Sequence, residues 1–215
     1  MGQRLAEYRL FLREFVHNFH TTGAVLPSGP WLARALVRYL RAPAPGRPRR
    51  VLEVGPGTGA VTRQIVAHLA PQDHLDLVEL NESFVLRLRE RFQHEPAFQA
   101  VAERTRVLHC PIQEVQADGG YDLIISGLPL NNFPAELVRQ ILSALTGMLA
   151  PGGMLSFFEY IAVRSAKTFL SGASERQRLR GVTAALRETL DRGEIRRDWV
   201  WPNVPPAWVH HVRRP

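Results

Sequence analysis

Residues 51–59 read VLEVGPGTG: an apolar run interrupted by Glu53, then glycines at 55, 57 and 59, and then AVTRQIVAHLA, which closes at Pro71. A short apolar run predicts a buried strand, and alternate glycines permit a tight turn with close backbone approach to a ligand. A strand, a glycine turn and a helix in succession form the opening unit of an open α/β sheet. The chain then repeats the theme. Strands are predicted at 74–80 (HLDLVEL), 106–110 (RVLHC), 121–126 (YDLIIS) and 154–160 (MLSFFEY), and helices at 83–92, 135–149 and 178–192. Aromatic stretches around Trp199–Trp201 and Trp208–Val212 flank a PNVPP turn and predict an antiparallel pair at the sheet's edge. The expected fold is α/β, Rossmann-like, with a mostly parallel seven-stranded sheet and a terminal antiparallel hairpin.

Ahead of this domain, Leu5, Tyr8, Leu12, Phe15 and Phe19 recur every three or four residues, widened by Phe11 and Val16, which predicts an amphipathic helix. Its arginines, among them Arg9 and Arg13, lie off the centre of the stripe. TTGAVLPSGP breaks this helix, and WLARALVRYL starts another, with Trp31, Ala35, Leu36 and Tyr39 available for one face. The Pro/Arg segment APAPGRPRR (42–50) reads as a linker, dividing the chain into an N-terminal helix, lid and linker (1–50) and a main domain (51–215).

Charge is uneven: residues 1–50 carry nine Arg against two acids, residues 51–160 seven Arg against thirteen acids, and residues 161–215 eleven Lys or Arg against five acids. Two basic ends around an acidic centre suit a polyanion, either nucleic acid phosphate or an anionic lipid layer. One cysteine, Cys110, excludes an intrachain disulfide and a cysteine-cluster metal site. Nothing in the pattern asks for a metal. No stretch approaches the length of a bilayer span, and acids at 7 and 14 argue against a secretory signal, so the expectation is a cytoplasmic protein with peripheral membrane contact.

Glu53 narrows the ligand. A carboxylate inside the strand, two residues before the first glycine, would repel a pyrophosphate and attract a cationic amino acid moiety. Glu79, ending the next strand, can take two ribose hydroxyls. The pair favours S-adenosylmethionine, with S-adenosylhomocysteine as its product, over a nicotinamide dinucleotide.

E53-V-G-P-G-T-G59 with VEL (78–80) resembles the first two motifs of the class I S-adenosylmethionine-dependent methyltransferases. HCPIQEV (109–115) resembles the loop that walls the adenine in that class. The resemblance implies a cofactor site made by Glu53, Gly55, Gly57, Gly59, Glu79, Leu80, Ile112 and Ser126, with Gln113 or Cys110 close by and Thr22 and Gly23 as a lid. Within the class, FLREFVHNFHTTGAVLPSG, ISGLPLNNFP, FFEY and NVPPAWVHH together resemble the bacterial phospholipid N-methyltransferases over roughly residues 11 to 212. Members methylate phosphatidylethanolamine toward phosphatidylcholine. The ribosomal RNA adenine dimethyltransferases are the alternative. They end strand four with Asn, an apolar residue, Pro and an aromatic, whereas this chain has Ser126, Gly127, Leu128, Pro129 and Leu130.

On the lipid reading, the carbonyls of Gly127 and Leu128 orient the acceptor amine, with Ser126 Oγ near the cofactor and Pro129 fixing the turn. Glu159 accepts a proton or holds the ammonium, Tyr160 contacts substrate or phosphate, and Asn131 is a headgroup contact. Tyr8, Leu12, Phe15 and Phe19 enter the bilayer surface, while Arg9, Arg13, Arg164 and Lys167, with Arg176, Arg178 and Arg180, meet phosphates. The expected partners are a phospholipid substrate and the inner face of the cytoplasmic membrane, with no nucleic acid and a monomeric chain.

Overall fold

The computed structural model describes residues 29–42, 46–161 and 173–215, with side chains from 176 onward in the last segment. The expectations for Tyr8, Arg9, Leu12, Arg13, Phe15, Phe19, Thr22, Gly23, Arg164 and Lys167 lie outside the described residues.

Seven strands form one sheet: β1 (Arg50–Val54), β2 (His74–Val78), β3 (Thr105–Leu108), β4 (Tyr121–Ser126), β5 (Leu149–Tyr160), β6 (Glu194–Val200) and β7 (Ala207–Arg213), in the order β3-β2-β1-β4-β5-β7-β6. β1 to β5 are parallel, β7 is antiparallel to β5, and β6 is antiparallel to β7. The chain runs outward from β1 through β2 to β3, then returns to lay β4 on the other side of β1. That reversal makes a crevice at the C-terminal ends of β1 and β4, where ligands of open α/β sheets bind. Val54 pairs with Ser126 there, so the glycine turn and the loop after β4 leave the sheet side by side.

Alternate residues of each strand face opposite layers. On one face Val51, Leu75, Leu77, Ile125 and Phe158 pack with helices α1 (Pro30–Leu36) and α2 (Ala60–Val66). α3 (Glu82–His94), begun by the Asn81 side chain accepting Phe84 N–H at 3.2 Å, adds Leu88, and α4 (Pro96–Gln99) adds Phe98. On the other face Leu52, Ile124, Leu155 and Phe157 meet Val138, Ile141 and Leu142 of α5 (Ala135–Gly147) and Val182 and Leu186 of α6 (Ala173–Gly193). Each fully buried aliphatic side chain contributes roughly 1.5–3 kcal/mol through area removed from water.

Two sequence expectations shift. α1 buries Leu32, Ala33 and Leu36, continued by Val37 and Leu40, and turns Trp31 outward, so Trp31 is not on the packed face. β6 begins at Glu194, well before Trp199, because EIRRDWV is an edge strand whose charged residues hide the alternation. Among the described residues no helix is long and apolar enough to cross a membrane.

Candidate active site

The glycine turn is held by the Glu79 carboxylate and the Arg91 guanidinium. Gly55 and Gly57 take positive φ angles of 69° and 55°, backbone that side-chain-bearing residues rarely adopt. Glu79 Oε2 accepts the Gly57 N–H at 3.0 Å, while its Oε1 accepts Leu80 N–H at 2.8 Å and Asn81 N–H at 2.9 Å. Just past the end of β2, Glu79 thus fixes both the turn after β1 and the turn into α3. Arg91 of α3 braces the turn from behind: Nη1 donates to the carbonyls of Thr58 at 2.7 Å and Gly59 at 3.1 Å, and Nε donates to Glu95 at 2.7 Å. Nothing in the sequence pointed to Arg91, which reads as one more arginine on a helix.

Glu53 is fully buried in β1, and among the described residues neither carboxylate oxygen meets a hydrogen-bond donor. Burial pushes its carboxyl up to about 8; Thr62 and Arg91 hold the rise back and the Glu79 carboxylate adds to it. Thr62 sits close enough to act on Glu53 without reaching hydrogen-bond geometry. A buried acid without donors, two residues before a glycine turn, is a receptor for a cationic group. The other end of the crevice is apolar: Ile112 is buried in the same cluster that Leu80 and Cys110 pack against. Gln113 Oε1 is buried without a donor among the described residues, an acceptor suited to an exocyclic amine. These residues fit an amino acid moiety, a ribose and a purine, the three parts of S-adenosylmethionine.

The loop after β4 closes against the glycine turn. Gly127 N–H donates to the Val54 carbonyl at 2.8 Å, and a Cβ at Gly127 would stand 2.7 Å from the Gly55 carbonyl oxygen. Leu128 lies over Gly55, since a Cβ on that glycine would meet Leu128 Cδ2 at 2.6 Å. Ser126 is buried, and its Oγ lies 3.4 Å from Leu128 N. The Leu128 carbonyl already accepts Leu130 N–H at 2.9 Å, so one of its lone pairs is used within the loop. Pro129 caps a 3-10 turn, Leu130–Asn132, which turns Leu130 wholly into the core beside Phe133.

Asn131, Tyr160 and Glu159 are brought near the rim, but as parts of its frame. Asn131 is buried and donates from Nδ2 to the Tyr160 carbonyl at 3.0 Å. The Tyr160 ring is buried against Phe158, with centroids 5.0 Å apart, and burial raises its phenol. Glu159 Oε1 lies 3.5 Å from His210 Nε2, and His210 Nδ1 lies 2.7 Å from Glu194. Arg178, expected at lipid phosphates, instead donates to the carbonyls of Asn131 at 3.1 Å and Phe133 at 2.8 Å. It buttresses the β4 loop from α6.

A family model for a methyltransferase domain matches residues 52–155. The chain is 32% identical over 149 residues to an ornithine lipid N-methyltransferase from Singulisphaera acidiphila, covering 69% of this chain and 76% of that protein. A ribosomal RNA small subunit methyltransferase A from Synechococcus sp. (strain CC9902) is 35% identical over 114 residues, covering 52% of this chain and 39% of that protein. Others of that name match over 18–40% of their own length. Among solved structures, the 1,6-didemethyltoxoflavin-N1-methyltransferase of Burkholderia thailandensis, with bound S-adenosylhomocysteine, superposes over 99% of this chain and 89% of that one. Its TM-score is 0.61 at 16% identity, a likeness of fold. With its sheet order, glycine turn and paired carboxylates, the chain belongs to the class I S-adenosylmethionine-dependent methyltransferases.

Proposed function

We propose that the protein transfers methyl groups to the primary amine of a membrane lipid headgroup, phosphatidylethanolamine and its partly methylated forms, toward phosphatidylcholine. The observation that carries this reading is the match to an ornithine lipid N-methyltransferase across most of that protein's length. The acceptor side of the site agrees with it. The β4 loop lays Leu128 over the glycine turn with Ser126 buried beneath it, an apolar surface that would desolvate an amine and so favour its neutral form. When bound, S-adenosylmethionine supplies an electrophilic methyl group. Glu53 would hold its ammonium, Glu79 its ribose, and Ile112 with Leu80 its purine. The amine must arrive unprotonated, because its lone pair forms the new bond, and the methylated product then sheds its extra proton.

A second reading, methylation of an RNA adenine, is favoured by the recurrence of ribosomal RNA methyltransferases among the relatives. Those enzymes would need an aromatic to stack on the base. Here that position is Leu130, which is packed in the core. Labelled S-adenosylmethionine offered with phosphatidylethanolamine vesicles or with RNA separates the two. Label in the lipid phase supports the first reading, label in RNA alone transfers the assignment to the second, and label in neither removes both.

A further inference from the structure

All four tryptophans of the chain gather on one surface, where α1 meets the β6–β7 hairpin. Trp31, Trp199 and Trp201 are 54%, 59% and 68% exposed, and Val204 in the hairpin turn is 72% exposed. Trp199 contacts Trp201 and Trp208, with ring centroids 5.4 and 5.2 Å away. Beside them lies a cleft of about 850 Å³ lined by Trp31, Arg34, Arg38, Arg41, Arg196 and Trp199. Its one acidic residue, Asp198, already accepts from Arg38, Arg196 and His211. The Arg34 guanidinium stands 5.6 Å from the Trp31 ring centre, and that of Arg197 5.7 Å from Trp208. Exposed indoles and aliphatics ringed by arginines match a bilayer interface, where indoles sit at headgroup level and guanidinium groups meet phosphates.

The topology gives this surface a direction. Val200 pairs with Ala207, which pairs with Tyr160, so the hairpin turn projects from the same end of the sheet as the β4 loop. We propose that the β6–β7 turn and the adjoining end of the arginine cleft dock the protein on an anionic phospholipid bilayer, with Trp201 and Val204 entering the interface and Arg34 meeting lipid phosphates. Its purpose rests on the lipid-amine reading above: docking would present the acceptor rim to the headgroups. A stacking platform for nucleic acid fits less well. Trp199 and Trp201 meet edge to face at 89°, so each hinders the other as a base platform, and Val204 has no face to offer.

The test uses the full chain with phosphatidylglycerol-containing and pure phosphatidylcholine vesicles carrying brominated acyl chains. Because every tryptophan lies on this surface, indole quenching reports on it directly. Quenching is expected with the anionic vesicles and is expected to weaken in high salt. Trp201→Glu and Val204→Glu should each lower partitioning about ten-fold or more, and Arg34→Ala about five-fold. Methyl transfer to a detergent-dispersed amine lipid should persist in Trp201→Glu. Vesicle-bound protein with unquenched indoles, or partitioning unchanged in both glutamate variants, would overturn the proposal. So would variants that lose RNA binding and keep vesicle binding. Quenching without any transfer to dispersed amine lipid would leave the docking surface standing and remove the lipid-amine acceptor instead.

Discussion

The side-chain amide of Asn131 donates to the backbone carbonyl of Tyr160 at 3.0 Å, fastening the loop after β4 to the end of β5. Arg178 grips the same loop from α6 through two carbonyls. Asn131→Ala leaves a carbonyl unpaired, a cost of about 1–3 kcal/mol. On the proposed function the acceptor meets this loop, so turnover should fall further than cofactor affinity in Asn131→Ala and Arg178→Ala. Calorimetric Kd values set beside kcat would show the split, and equal losses would place the two residues in general stability only.

Glu53 makes stability depend on pH in an unusual sense. Its folded carboxyl is raised from 4.5 to about 8, so across that interval the unfolded chain has released a proton that the folded chain keeps. Stability should therefore fall as pH rises from about 4.5 to 8 and level off above. Glu53→Gln should flatten that slope in urea unfolding. Binding of a cationic cofactor near pH 7 should expel the proton, seen as a buffer-dependent heat in titration calorimetry that is missing from the variant.

His211 acts with the opposite sign. Burial holds its imidazole below the usual 6.5, although Asp198 pulls the other way. The neutral ring then donates to Asp198 at 3.2 Å and accepts from Ser156 Oγ at 2.8 Å. As pH falls through 6.5 the unfolded ring takes up a proton that the folded one refuses, so stability drops on the acid side. His211→Asn should remove this acid-side step from a comparison of unfolding midpoints at about pH 5.5 and pH 7.5.

Removing Glu79 should collapse the glycine turn. Glu79→Ala strands the N–H groups of Gly57, Leu80 and Asn81, at about 1 kcal/mol or more each. S-adenosylmethionine affinity should fall at least about ten-fold, while Glu79→Gln, keeping one acceptor oxygen, should fall in between.

Gly127→Ala tests whether the two loops need their closeness. A methyl group there would meet the Gly55 carbonyl oxygen at 2.7 Å, backbone against backbone. The loops must part, at about 1–3 kcal/mol of stability. Cofactor binding should weaken with it, and a thermal shift with and without S-adenosylmethionine would record both.

Buried strands were legible because their signal is local: VLEV, DLV and YDLII are apolar runs bounded by turns, and each lies within a few residues of its expected place. The carboxylates Glu53 and Glu79 were legible for the same reason, since each sits at a fixed step from a strand end. What escaped depends on tertiary contact. Arg91 reaches a turn more than thirty residues earlier in the chain, and Arg178 bonds carbonyls 45 and 47 residues away. An arginine looks alike in sequence whether it faces solvent or a backbone oxygen. Leu130 was legible only as the place where an RNA enzyme has an aromatic; that the 3-10 turn swings it into the core was not.

In the sheet β7 lies between β5 and β6, although β6 precedes it in the chain. During synthesis, β6 therefore leaves the ribosome before the strand that joins it to the sheet exists. β6 can join the sheet only through β7, whose own pairing with β5 brings His210 and His211 to Glu159 and Ser156. Completion of the sheet edge thus waits for the last strand of this sequence to be made.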